Sequence, residues 1–433
     1  MSIINNLYQG VSGLNANSTH MEVVGNNIAN INTVGFKYSR AQFEDVLGNV
    51  SARWKHESGM GVRVVRSQQI FSQGAIMNTG VPTDLALSGD GFFLVEGAMD
   101  GTTGRFFTRN GQMTVRNDGV VVNPQGLELQ GYKALTSGGF ETALSSLQIP
   151  TAALEPKVTQ AIEIAANLDT NATAPVLPFD INDPVATSNF STSLTTYDTQ
   201  GNAHVVDVYF VKTANPNEWN IHVLGDSTEI TTPAPANVGD AFTQLASGTA
   251  TFDGTGKLQT LPAMSSTVTY NNANAQTMSF DLGDPIATGG TGQLGLTQYG
   301  APSNVSAQSQ DGYAPGSLNG IDITSDGVIN GAYTNGEVLA IGKVAVAKFP
   351  ANTELDRFGH NLWVATRDSG QATIGEAGSG GRAAIVSGSL EQSNVELASQ
   401  FVNMITHQRA FSANARTITT ADEMLLETTQ LKR

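Results

Sequence analysis

The chain has 433 residues, 40% of them apolar, and its 38 acidic side chains outnumber 22 basic ones for a net charge of −16. That length is expected to form two to four domains with real cores, and the charge argues against a nucleic-acid surface or an anionic membrane as partner. Cysteine is absent, which excludes disulfides, thiolate metal sites and cysteine nucleophiles.

In chain order, the first feature is a missing one: neither Lys nor Arg occurs before Lys37, and no apolar run reaches membrane-spanning length. Neither a secretory signal nor a membrane insertion is expected. Leu7, Leu14, Met21 and Ile28 recur every seven residues with Val11 and Val24 beside them, which predicts an amphipathic helix over 4–30. Seven Asn and three Gly in residues 1–30 each cost up to about 1 kcal/mol relative to Ala, so this helix is expected to need stabilising contacts from elsewhere. Where it stops, in "VVGNNIANINTVGFK" (23–37), Asn26, Asn27 and Asn30 are expected to bond backbone groups, with Gly35 permitting a turn that Phe36 anchors.

All fifteen prolines lie between Pro82 and Pro350, so the middle is built differently from the ends. "FFTRNGQMTVRNDGVVVNPQGLELQGY" (106–132) predicts a meander of hairpins turning at Asn110-Gly111, Asp118-Gly119 and "NPQG". A matching pattern at 320–349, with turns at Asp326-Gly327 and Asn335-Gly336, suggests one β domain built from both pieces. Between them, residues 150–310 hold fourteen acidic side chains against Lys157, Lys212 and Lys257, or −11 of the total charge, and should be well solvated. There "AHVVDVYFVKT" and "WNIHVL" read as a hairpin around Trp219.

At the far end Ser393 and Glu396 have capping-box spacing. Leu397, Met404, Phe411, Ile418 and Leu425 then recur every seven with Phe401 beside them, which predicts a second helix over 394–431. The alternative for both ends is a pair of ordinary helices packed on a globular core. The fold class is mainly β with α-helical termini, in nested discontinuous domains, and both termini are expected at one end of an elongated molecule.

No catalytic, metal or cofactor site is expected. His20, His56, His204, His222, His360 and His407 show no ligand spacing, although His204 and His222 could meet across the hairpin. "GTGKL" around Gly256 lacks the residues of a phosphate loop and reads as a turn. "DITSDG" from Asp322 has Tyr333 where a calcium loop needs Glu, and reads as a hairpin. Trp54, Trp219 and Trp363 are candidates for a sugar platform only if they converge.

"GVSGLNANSTHMEVVGNNIANINTVGFKYSRAQFEDVL" closely resembles the N-terminal signature of the axial rod and hook proteins of the bacterial flagellum. The elements fall at Ser12, Gly13 and Leu14, at Gly25, Asn26, Asn27, Ile28, Ala29 and Asn30, and at Thr33 with Gly35, Phe36 and Lys37. "GSLEQSNVELASQFVNMITHQRAFSANARTITTADEMLLETTQL" is similar to the C-terminal signature of that family. "YDTQGNAHVVDVYFVKT", "DGYAPGSL" and "NLWVAT" resemble its hook members, and the acidic insert favours hook over distal rod.

The resemblance implies a homopolymeric, curved, flexible tube that joins the rod to the filament, carries torque as a universal joint and leaves an export channel. It implies paired terminal helices forming a coiled-coil-like inner tube, with two outer β domains. Leu7, Val11, Leu14, Met21, Val24 and Ile28 would pack in that tube with Leu397, Phe401, Met404, Phe411, Ile418 and Leu425, and neutral amides at the helix end would avoid charges buried between subunits. The implied domains are 1–32 with 390–433, a connecting segment 33–80 with 360–389, a β domain 81–148 with 303–359, and an inserted domain 149–302. Implied partners are further copies of the chain, the distal rod protein, the hook cap protein, the hook–filament junction proteins and the flagellar type III export apparatus, with extracellular location reached without a cleaved signal peptide. A distal rod protein and, from another class, a secreted β-rich carbohydrate-binding protein are the alternatives.

Overall fold

The computed structural model describes residues 3–47, 59–135 and 138–430; Trp54 and His56 lie outside them. A helix α1 (Ile3–Ala29) opens the chain, a helix α2 (Leu397–Gln430) closes it, and strands fill most of what lies between. Among the described residues no helix is long and apolar enough to cross a membrane. The chain divides into two compact units. The first comprises Met1–Thr151, Gly320–Ala332 and Val338–Arg433, and the second Ala152–Asn319 and Tyr333–Glu337.

In the first unit α1 is followed by an antiparallel hairpin of β1 (Ser39–Leu47) and β2 (Gly59–Gln69), paired from Ser39 opposite Gln69 to Leu47 opposite Gly59. The strand Val338–Lys348 pairs with Glu128–Lys133 and Phe92–Met99, so segments some 200 residues apart share one sheet, as the two turn-rich stretches suggested. The core of this sheet is aromatic: Phe92, Phe107, Phe349 and Trp363 pack with Leu94, Ala347 and Leu355. Trp363 Nε1 donates to Gln69 Oε1 at 2.6 Å, which ties β2 to this core. Two short ribbons join the ends of the unit, Leu85–Ser88 with Ala384–Ser387 and Ile76–Asn78 with Ser389–Glu391.

The second unit packs two sheets over one core. Phe190–Tyr197, Ala203–Lys212, Glu218–Asp226 and Phe242–Phe252 form an antiparallel meander. Its inward residues alternate, Val206, Val208 and Phe210 on one strand and Ile221 and Val223 on the next, as a half-buried sheet requires. Ile162, Ile164, Ala166, Met278 and Phe280 face them from the other sheet, and Trp219 is fully buried among them. Asn304–Gln310 pairs with Ala161–Asn167 at the end of this unit's main stretch, Ala152–Asn319.

The turns at Asp118-Gly119, "NPQG", Asp326-Gly327 and Asn335-Gly336 form with their glycines at positive φ, and Gly256 likewise sits in a turn. Asn110-Gly111 is not a hairpin. Asn110 Oδ1 accepts from Gln112 N–H at 3.0 Å, and Gly111 lies so close to the Leu85 carbonyl that any Cβ would collide with it. Glycine is needed there for close backbone approach, not for turning. The second helix also starts later than expected, at Leu397. Ser393 Oγ accepts from Val395 N–H in a local turn, so no capping box with Glu396 forms.

Candidate assembly interface

The two helices run antiparallel, and their seam is built from small and polar side chains. A Cβ on Gly10 would sit 2.8 Å from Ile418 Cγ1, and one on Gly13 would sit 2.6 Å from Asn414 Nδ2, so a larger residue at either position has to push those side chains aside. Further along, His407 Nδ1 lies 2.8 Å from Asn17 Oδ1, and Asn27 Nδ2 donates to Gln400 Oε1 at 3.1 Å. Along the whole of α2 the buried side chains are Gln400 and Ala421. Phe401 is 48% exposed, Ile405 50% and Leu426 56%, and on α1 Tyr8 is 64% exposed. Among the described residues, the helices therefore pair through glycines, polar side chains and Ile418, and leave an apolar ridge of Phe401, Ile405 and Leu426 exposed.

Where α1 ends, Asn27 is fully buried and acts as a stand-in for a strand: its Nδ2 donates to Ser39 O at 2.8 Å and its Oδ1 accepts from Ser39 N–H at 2.9 Å. Asn30 Nδ2 donates to the Asn26 carbonyl and to Asn26 Oδ1, and Thr33 Oγ1 donates to Asn30 Oδ1. Gly35 takes φ +70°, where a side chain would strike the Arg109 backbone, and its N–H donates to the Glu391 carbonyl at 2.8 Å. Phe36 is buried beneath the Arg357 guanidinium, 5.6 Å from its centroid.

Lys37, next in line, is a charge buried within the molecule itself. Its side chain is fully buried, and Nζ donates to Glu391 Oε1 at 2.6 Å and to the Ser72 carbonyl at 2.7 Å. The other oxygen of Glu391 meets Arg109 Nη1 at 3.2 Å, while Oε1 also accepts from Gly74 N–H at 2.9 Å. Burial pulls the Lys37 ammonium below its ordinary pKa, against the opposing pull of Glu391, and lowers Arg109 in the same way. Two buried cations thus share one buried carboxylate. Asn394 completes the join: its Oδ1 accepts from Tyr38 N–H at 2.8 Å and its Nδ2 donates to the Ile70 carbonyl at 2.9 Å.

The two end segments of this join, 25–37 and 389–394, fall in two matched family models: Flagella basal body rod protein over 7–37 and Flagellar basal body rod FlgEFG protein C-terminal over 386–431. Between them match Flagellar hook protein FlgE/F/G D1 domain, over 86–167, and Flagellar basal body protein FlaE D2 domain, over 167–313. The Flagellar hook protein FlgE of Salmonella typhimurium is 36% identical over 424 residues, covering 96% of this chain and 97% of that one. The chain belongs to the flagellar hook protein family.

Other hook relatives extend the match to the full length: that of Treponema pallidum is 33% identical over all of both chains, and that of Borreliella burgdorferi 36% identical over 99% of this chain and all of its own. The crystal structure of the Helicobacter pylori flagellar hook protein FlgE2 shares the fold, with a TM-score of 0.54 at 15% identity over 73% of this chain and all of that one.

Of the apolar residues expected to pack together, Val24 is buried, while Leu7, Leu14, Met21, Ile28, Met404, Ile418 and Leu425 are half-buried. Val11, Leu397, Phe401 and Phe411 stay exposed. Among the signature residues, Gly13, Asn27, Gly35 and Phe36 are buried, Ser12, Leu14, Gly25, Ile28 and Asn30 half-buried, and Asn26 and Ala29 exposed. Ser12 Oγ accepts from Val62 N–H at 3.2 Å, which ties α1 to β2.

His204 and His222 do not meet: His204 lies between Glu229 and Asp198, and His222 stacks on Phe179. Among the described residues no group of three metal-ligating side chains converges. Trp219 and Trp363 belong to separate cores and form no platform. The seam row Gln400, His407, Asn414, Ala421 escaped the sequence reading because three of its four members are polar, although its seven-residue spacing is present.

Proposed function

We propose that this chain is the structural subunit of the bacterial flagellar hook, polymerising through its terminal helices into a curved tube that passes torque from rod to filament and encloses an export channel. The observation that carries this reading is the hook likeness over the whole chain, acidic insert included, whereas the end signatures alone are shared with rod proteins. The uncovered apolar ridge of α2 supports it, because a stripe of Phe401, Ile405 and Leu426 left in water is the signature of a surface that a further copy covers.

In this reading α1 and α2, within 1–32 and 390–433, line the tube, and the twelve heptad residues Leu7 to Ile28 and Leu397 to Leu425 supply its apolar contacts. Residues 33–80 and 360–389 connect, and the β-rich remainder carries the sliding contacts that bending requires. Acidic, Thr- and Asn-rich surfaces suit that sliding because they gain little from any one register. The tube would grow under a cap protein, start on the distal rod protein and end at the junction proteins, and its subunits would leave the cell through the flagellar type III apparatus without a cleaved signal.

Electron microscopy of the purified protein under assembling conditions, and of cells lacking it, tests the reading. Tubes from the protein and cells without hooks are expected. A protein that stays monomeric at every concentration, with hooks intact in cells that lack it, overturns it.

A further inference from the structure

Midway along the seam, the His20 and His407 rings lie face to face with centroids 3.6 Å apart and planes 26° from parallel. Phe43 of β1 closes the layer at 5.7 Å from His20 and 6.4 Å from His407. His407 Nδ1 is held by the Asn17 amide oxygen. Both ring nitrogens of His20 are buried and lack a hydrogen-bond partner among the described residues. A neutral imidazole tolerates this site, whereas an imidazolium would be left without solvation or a counter-ion.

The surrounding elements offer little relief. β1 carries Arg40, Glu44 and Asp45, but Glu44 is taken by Arg63 of β2, and Arg66 of β2 is taken by Glu354. Glu22 on α1 and Arg409 on α2 are exposed, and Tyr38, Arg40 and Glu396 line the cleft beside His20, of which only Glu396 is an acid. Among the described residues, the histidines that meet carboxylates are His204 and His360, not these two. Burial, and after it the neighbouring His407, pushes His20 down to about 4, and burial also lowers His407.

We propose that the stacked His20–His407 pair is a proton-sensitive pairing contact, which holds the two ends of the chain together while both rings are neutral and releases them when either is protonated. Separated helices carry a His20 that titrates near 6.5, and paired helices one that titrates near 4. Between those values the separated state binds the extra proton, so the stabilisation is complete above pH 6.5 and is lost as pH falls to 4. Extended to a polymer, the claim rests on the hook reading; for the helix pair alone it does not.

The test uses the full chain in the form isolated at pH 7.5. Histidine ring carbons are labelled, their shifts followed from pH 8 to 3, and the sedimenting fraction and amide exchange of both helices measured at each step. Wild type is expected to lose helix protection with a midpoint between pH 6.5 and 4, and His20→Phe to move that midpoint down by about one pH unit or more. His20→Gln serves if the aromatic variant does not pair. A His20 ring that titrates at 6 or above, or a midpoint unchanged in a non-titrating variant that pairs at pH 7.5, overturns the proposal. Absence of sedimenting polymer at pH 7.5 counts against the hook reading alone, since ring titration and exchange still report on the helix pair.

Discussion

Glu391→Gln is the most informative single change to the join between the chain ends. The carboxylate serves three donors at once: Lys37 Nζ at 2.6 Å, Gly74 N–H at 2.9 Å and Arg109 Nη1 at 3.2 Å. Glutamine keeps the shape but replaces one acceptor with an NH2 donor, and it leaves buried Lys37 with no opposing charge and Arg109 with the weaker pull of Asp90 alone. Removing one partner of a buried pair costs about 3–5 kcal/mol, a large part of the roughly 5–15 kcal/mol that holds a typical domain together. Lys37→Met is the control, because it leaves Glu391 bonded to Arg109 and Gly74 and removes a cation that burial already disfavours; its cost is expected to stay under about 2 kcal/mol. Urea unfolding followed by hydrogen exchange with mass spectrometry resolves the two units, and the second, which contains none of these residues, is an internal reference. If Glu391→Gln lies within about 1 kcal/mol of wild type, or Lys37→Met is the worse of the two, the carboxylate is not the balancing charge described above.

Phe401→Asp is expected to leave the unassembled protein's unfolding within about 0.5 kcal/mol of wild type, since the ring is already in water, yet to abolish polymer in a sedimentation assay. Gly13→Val places atoms where Asn414 sits, so the helices should separate, with faster amide exchange along the seam and little change in either β core. Trp219→Ala empties a fully buried site in the second unit and should cost about 3–5 kcal/mol there, read by denaturation, while the first unit unfolds as before.

How far the sequence shows this arrangement depends on the range of the interaction. Turns are local, and Asp118-Gly119 or Asn335-Gly336 announces itself because a positive φ selects glycine within a few residues. Asn110-Gly111 carries the same letters for another reason, contact with Leu85, which only the folded sheet brings near. The helix heptads are local too, and both helices form over the heptads, the second starting only at Leu397. Which face pairs within the molecule was only partly legible, because the apolar rows mix half-buried residues such as Ile418 with exposed ones such as Phe401, while Gln400, His407 and Asn414 look like solvent-facing residues. The Lys37–Glu391–Arg109 cluster was least legible: its members are 354 and 282 positions apart, and nothing near Lys37 marks it as buried.

That separation along the chain also sets a clock. A ribosome adding about 5–20 residues per second releases Lys37 roughly 18–70 seconds before Glu391 exists. Throughout that interval the ammonium has no carboxylate to meet in its eventual niche, and its neighbours Gly35 and Tyr38 lack the carbonyl and amide that will secure them. The second unit, nearly all of it one uninterrupted stretch, has no such wait. Wherever the chain folds, the second unit can close on its own stretch of sequence, whereas the join between the two extremities waits until both are present.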